Sequence, residues 1–92
     1  MEALSRKLEF DKKGQMVFTF GDNWSLSVIN NGYGASEGLF ELAPMADDNI
    51  QYVEGISTEL DDVRGYLTEE QVFEYVDKMA KITDHPPKHN DS

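Results

Sequence analysis

Gln15-Met16-Val17-Phe18-Thr19-Phe20-Gly21-Asp22-Asn23-Trp24-Ser25-Leu26-Ser27-Val28-Ile29-Asn30 is the stretch that decides the fold. Met16, Phe18 and Phe20 alternate with Val17 and Thr19, the period-two pattern of a strand with one buried face. Gly21-Asp22-Asn23 follows as turn chemistry at hairpin spacing. From Trp24 to Asn30 the alternation resumes, with Trp24, Leu26 and Val28 on one face. Ser25 and Ser27 fall on the other, which is therefore expected to be wet. A hairpin with one apolar face needs something to cover that face.

Upstream, residues 1–5 carry no pattern. Leu8 and Phe10 point one way in a short extended segment from Arg6 to Asp11, and Asp11-Lys12-Lys13-Gly14 reads as a turn. Downstream, Asn30 to Gly38 is a glycine-rich connector whose Asn31-Gly32 pair favours a tight turn. Tyr33 at its tip is a candidate contact residue. A third strand is expected from Leu39 to Met45, with Phe40 and Leu42 inward, Glu41 outward and an end near Pro44. Ala46-Asp47-Asp48-Asn49 is another turn, and Ile50 to Glu54 a weaker fourth strand. Gly55 to Leu67 reads as an ordered loop with one helical turn around Asp61–Arg64.

The covering element comes last. Thr68 is an N-cap with Gln71 three residues on, the spacing of a capping box, and Leu67 and Val72 form a hydrophobic staple. Glu69 and Glu70 sit at the positive end of the helix dipole, Lys78 and Lys81 near the other. Val72, Phe73, Val76, Met79, Ala80 and Thr83 make one broad face. Pro86 and Pro87 cannot continue a helix, so it should stop near Thr83–Asp84. The sum is an α+β domain of two layers: a small antiparallel meander of three to four strands packed by one C-terminal helix. Residues 1–84 are assigned to that domain and 85–92 to a mobile polar tail.

Ninety-two residues with 39% apolar content supply one modest core. The chain has no cysteine, which excludes disulfides and thiolate metal sites. No apolar run approaches membrane-spanning length, and the first residues hold no apolar signal-peptide core. A cytoplasmic protein that does not enter membranes is expected.

Charge is distributed unevenly. Between Glu37 and Asp77 stand twelve carboxylates and a single cation, Arg64. That window carries a formal −11, its flanks 0 and +1, and the chain −10. Such a field repels nucleic acid and anionic lipid and attracts basic partners. On the helix, Glu74 with Lys78 and Asp77 with Lys81 are i,i+4 pairs of the usual decorative kind. The acids Glu54, Glu59, Asp61 and Asp62 have only Arg64 near them in sequence. Together with Glu69 and Glu70 they form the expected partner-binding set. Carboxylates at i,i+4 on a helix lie about 6 Å apart, a spacing that imitates a phosphate track and admits nucleic-acid mimicry.

Catalytic, cofactor and metal sites are not expected. The histidines, His85 and His89, are four apart, but Pro86 and Pro87 break the helix that would align them. Asp47-Asp48-Asn49 and Asp61-Asp62 lack the spaced loop and closing glutamate of a calcium site. Gly32 to Gly38 lacks the Lys-Ser/Thr ending of a phosphate loop. With no cysteine and no core histidine, a nucleophile–base pair is implausible, and the chain reads as a non-enzyme.

Gly38-Leu39-Phe40-Glu41-Leu42-Ala43 and Asp61-Asp62-Val63-Arg64-Gly65-Tyr66-Leu67-Thr68-Glu69-Glu70-Gln71-Val72, preceded by Tyr33-Gly34, resemble segments of short, acidic, uncharacterised proteins of tailed phages and prophages. The resemblance spans roughly Trp24 to Ile82, departing between Pro44 and Thr58. It implies a viral protein of a host cytoplasm that acts by stoichiometric binding. The partner would be a basic host protein that handles nucleic acid, such as a nuclease or a CRISPR or restriction component. The role would be that of an anti-CRISPR or anti-restriction inhibitor. The alternative is an assembly accessory protein that forms a homo-oligomer through apolar contacts at Tyr33, Leu39 or Tyr66, or through an edge strand.

Overall fold

The computed structural model describes residues 7–58 and 63–89. The hairpin lies where its alternation places it: β1 (Gln15–Phe20) pairs antiparallel with β2 (Trp24–Ile29), Gln15 opposite Ile29 and Phe20 opposite Trp24. β3 (Phe40–Ala46) continues the meander on the far side of β2, with Leu26 opposite Pro44 and Val28 opposite Leu42. β4 (Asn49–Ile50) and β5 (Arg64–Leu67) both pair with β3, and β6 (Lys88–His89) pairs with β1. The sheet order is β4-β3-β2-β1-β6, with β5 bonded to β3 off that path.

One helix, α1 (Glu69–Thr83), covers one sheet face. Met16, Phe18, Phe20, Leu26, Val28 and Leu42 from the sheet meet Val72, Phe73, Val76 and Met79 from the helix in a single buried cluster. Phe18 and Phe73 pack edge to face at 5.9 Å between centroids. Leu8 and Phe10 lie half-buried against this cluster, Phe10 stacked on Phe40 at 5.4 Å. The α+β, two-layer architecture read from the sequence is therefore the observed one. The helix begins as expected: the Thr68 hydroxyl accepts the Gln71 N–H, and the Gln71 side chain accepts the Thr68 N–H. It ends at Asp84, in the left-handed conformation, two residues before the prolines.

Four local expectations are corrected. β3 does not end at Pro44 but runs through it to Ala46. The Pro44 carbonyl accepts the Gln51 N–H, so its missing donor faces β4 and not β2, and no β2–β3 rung is lost. The fourth strand covers only two residues. Val53 and Ile56 are drawn into the core, and the chain closes into a turn in which Ile56 and Ser57 both donate to the Val53 carbonyl. Arg64 is not in a helical turn; it opens β5, whose Leu67 is buried opposite Phe40. Within the expected tail, Lys88 and His89 pair with Thr19 and Phe18, and His85 sits against Gly21 of the β1–β2 turn.

Candidate interaction surface

Arg64 and Lys78 would be the natural counterions of the acidic window. The structure gives both other work. Arg64 Nε donates to the Ile56 carbonyl at 2.9 Å and Nη2 reaches the Ser57 carbonyl at 3.4 Å. Its guanidinium carbon lies 4.9 Å from the centre of the Tyr75 ring. Lys78 Nζ sits on the same ring at 5.5 Å and donates to the Gly55 carbonyl at 3.3 Å. The pairing of Lys78 with Glu74 expected from i,i+4 spacing gives way to these contacts. Three successive carbonyls of the Val53–Ser57 turn thus bind two cations, both of which lie on the Tyr75 ring. The turn is further closed by Ser57, whose hydroxyl accepts the Val53 N–H at 3.0 Å.

The consequence is a set of outward carboxylates. Glu54 is exposed on that turn. Glu70, Glu74 and Asp77 are exposed along α1 at spacings that place them on its solvent stripe, away from Val72, Val76 and Met79. Glu69 is different: it is half-buried, and its Oε2 accepts the Leu8 N–H at 2.8 Å, tying the N-terminal segment to the helix start. Of the expected partner-binding set, Glu54 and Glu70 therefore face solvent and Glu69 has a structural bond. Glu59, Asp61 and Asp62 lie outside the described residues.

The acidic window is not one patch. Glu41 belongs to the sheet face opposite the helix, where its Oε1 accepts the Tyr33 N–H at 3.0 Å. Asp47 and Asp48 form a turn with positive φ beside the β1–β2 turn, the Asp47 N–H donating to the Asn23 carbonyl. That is the end of the sheet near the helix C-terminus, whereas Glu69 and Glu70 mark the other end.

A second feature lies where β5 meets the glycine-rich connector. Tyr33 and Tyr66 are each 59% exposed, the highest values among the large apolar side chains described. The Tyr66 N–H donates to the Tyr33 carbonyl at 3.2 Å, so the two residues are neighbours. Sequence reading offered both as separate apolar contacts; the pairing of β5 with β3, which brings them together, had no periodic signal. The uncovered sheet face carries a shallow trough of about 230 Å³ between Ile29, Ala43, Met45, Ile50 and Val63. Among the described residues no helix is long and apolar enough to cross a membrane. No family model matches the chain, and neither the curated proteins nor the solved structures supply a match.

Proposed function

We propose that this chain is an interaction protein that binds a basic surface on a nucleic-acid-handling host protein and blocks it stoichiometrically, as an anti-CRISPR or anti-restriction inhibitor of phage origin would. One observation carries the reading. Arg64 and Lys78 are turned onto backbone carbonyls and the Tyr75 ring, which leaves Glu54, Glu70 and Glu74 facing water. Carboxylates in excess over the cations beside them destabilise the free protein, and a cationic partner relieves that repulsion. The same field disfavours direct binding to nucleic acid or to anionic membrane.

The test is inhibition of purified phage-defence nucleases by the full chain. A sensitive nuclease should be blocked at one-to-one stoichiometry, with affinity that falls as salt is raised. The triple variant Glu54→Lys, Glu70→Lys, Glu74→Lys should lose at least about tenfold in affinity. Affinity insensitive to both salt and charge reversal rules the electrostatic reading out.

A second reading, self-association, is favoured by the exposure of Tyr33, Tyr66 and Ile50, the last at 54% on the β4 edge. A second copy would bring two chains of −10 together, a repulsion that apolar contact must overcome. A stable dimer by sizing, unchanged at low salt, supports this alternative over the first.

A further inference from the structure

The backbone around Tyr66 is unusual. Phe40 faces Leu67 and Leu42 faces Arg64, so two steps along β3 match three along β5. The extra residue is a β-bulge, a device that re-aims a side chain. Tyr66 occupies the left-handed region at φ 58°, a conformation that suits glycine and is rare for an aromatic residue. Gly65 stands immediately before it, one position early for relieving that strain.

Both neighbouring glycines are required by close approach. A Cβ on Gly65 would lie 2.5 Å from Tyr33 Cβ, and one on Gly34 would lie 3.0 Å from Tyr66 Cα. The connector and the bulge are thus pressed together, and two exposed tyrosines stand on neighbouring segments at one rim. Beside them, the Glu41 carboxylate is fixed by the Tyr33 N–H through Oε1. Glu37 follows within one 3-10 turn, its N–H donating to the Gly34 carbonyl, and is exposed.

From this we infer that the Tyr33–Tyr66 rim, with Glu41 and Glu37 alongside, is the anchor for an arginine side chain of the basic protein partner. The inference rests on the binding role proposed above and adds to the acidic stripe of α1 a contact on the Glu41 side of the sheet. A guanidinium stacks on aromatic faces and donates to carboxylates in a way that neither an ammonium nor a neutral urea group reproduces. Tyrosine and arginine are also the residues most often found at the energetic centre of protein interfaces. A glycine at position 66 would relax the backbone but remove the ring.

The experiment is an NMR titration of the isotopically labelled full chain with a short arginine-rich peptide, its lysine counterpart and its citrulline counterpart. Shifts should cluster at Tyr33, Gly34, Glu41, Gly65 and Tyr66, with arginine binding tighter than lysine and lysine tighter than citrulline. Tyr66→Gly should weaken arginine-peptide binding by about fivefold while leaving the melting temperature unchanged or raised, because it relieves the left-handed strain. A residue with a purely structural role would show the reverse: lower stability and unchanged affinity. Tyr66→Asn, which tolerates the same conformation, and Tyr33→Ser repeat the measurement should Tyr66→Gly fail to fold.

Shifts confined to Glu54 and the Glu70–Glu74–Asp77 stripe overturn the rim but leave the acidic-surface reading standing. Equal binding of arginine and citrulline peptides overturns the rim as well. Absence of shifts anywhere at low salt, with any cationic peptide, overturns both.

Discussion

Asp11 shows how one side chain can organise a segment before any core contact is made. Its Oδ1 accepts the N–H groups of Lys13 at 2.8 Å and Gln15 at 3.0 Å, and its own N–H donates to the Gln15 carbonyl. These bonds close the turn that feeds β1. The Gln15 N–H foremost, with the amides of Lys13 and Gly14 and the charge of Lys13, holds the Asp11 carboxyl below its ordinary 3.8. A folded-state value below the unfolded one gives stability that is complete above the unfolded value and is lost as pH falls through the folded one. The melting-temperature gap between the wild type and Asp11→Asn should therefore be constant near neutrality and narrow once pH drops below 3.8. A gap that stays constant into the acid range would show that the carboxylate charge contributes nothing. Turn chemistry of this kind is legible from Asp11-Lys12-Lys13-Gly14 alone. The left-handed Tyr66 is not, because the residue type argues against the conformation it adopts.

Elements were legible in proportion to how much of their signal is local. β1, β2 and α1 carry their own periodicity and their own stops, and each lies within a residue or two of its expected bounds. β5 carries none: Arg64-Gly65-Tyr66-Leu67 becomes a strand because Leu67 is buried opposite Phe40 and because Arg64 is held by the Ile56 and Ser57 carbonyls of the preceding turn. β6 likewise exists only because the chain after the helix returns to the free edge of β1, where the Thr19 hydroxyl meets the Lys88 carbonyl at 3.4 Å. The same non-local logic hid the role of Arg64 in the candidate site, since nothing in sequence links it to Tyr75. For the helix itself, local chemistry should suffice. Thr68→Ala removes an acceptor for an otherwise unsatisfied amide and half of a reciprocal cap, at a cost of about 1 kcal/mol. Urea denaturation should show that loss, and Thr68→Ser should restore most of it. A Thr68→Ala protein as stable as the wild type would mean that burial of Leu67 and Val72 alone fixes the helix start.

At the scale of the whole molecule, the chain carries a charge of −10, and its described acids are spread over both faces and both ends. Repulsion among them is long-ranged and present only when they are held together, so it acts against the folded state. Counterions at physiological ionic strength screen it over about 8 Å. Stability and partner affinity should therefore respond to sodium chloride with opposite signs. The free chain should melt higher as salt rises from the millimolar range, each 1 kcal/mol of relief appearing as roughly 4–8 °C in a domain of this size. Binding to a basic protein should weaken over the same range, because the screening that relieves self-repulsion also weakens the attraction. Glu74→Lys, a change on the helix stripe beyond the first turn and its dipole, separates this from a general salting-out effect. Reversing that charge should raise the melting temperature at low salt and flatten its salt dependence. Salting-out would instead give parallel curves for the two proteins. If the variant melts no higher than the wild type at low salt, the outward carboxylates of α1 are already balanced in the free protein. The stripe would then have no stored repulsion for a cationic partner to relieve.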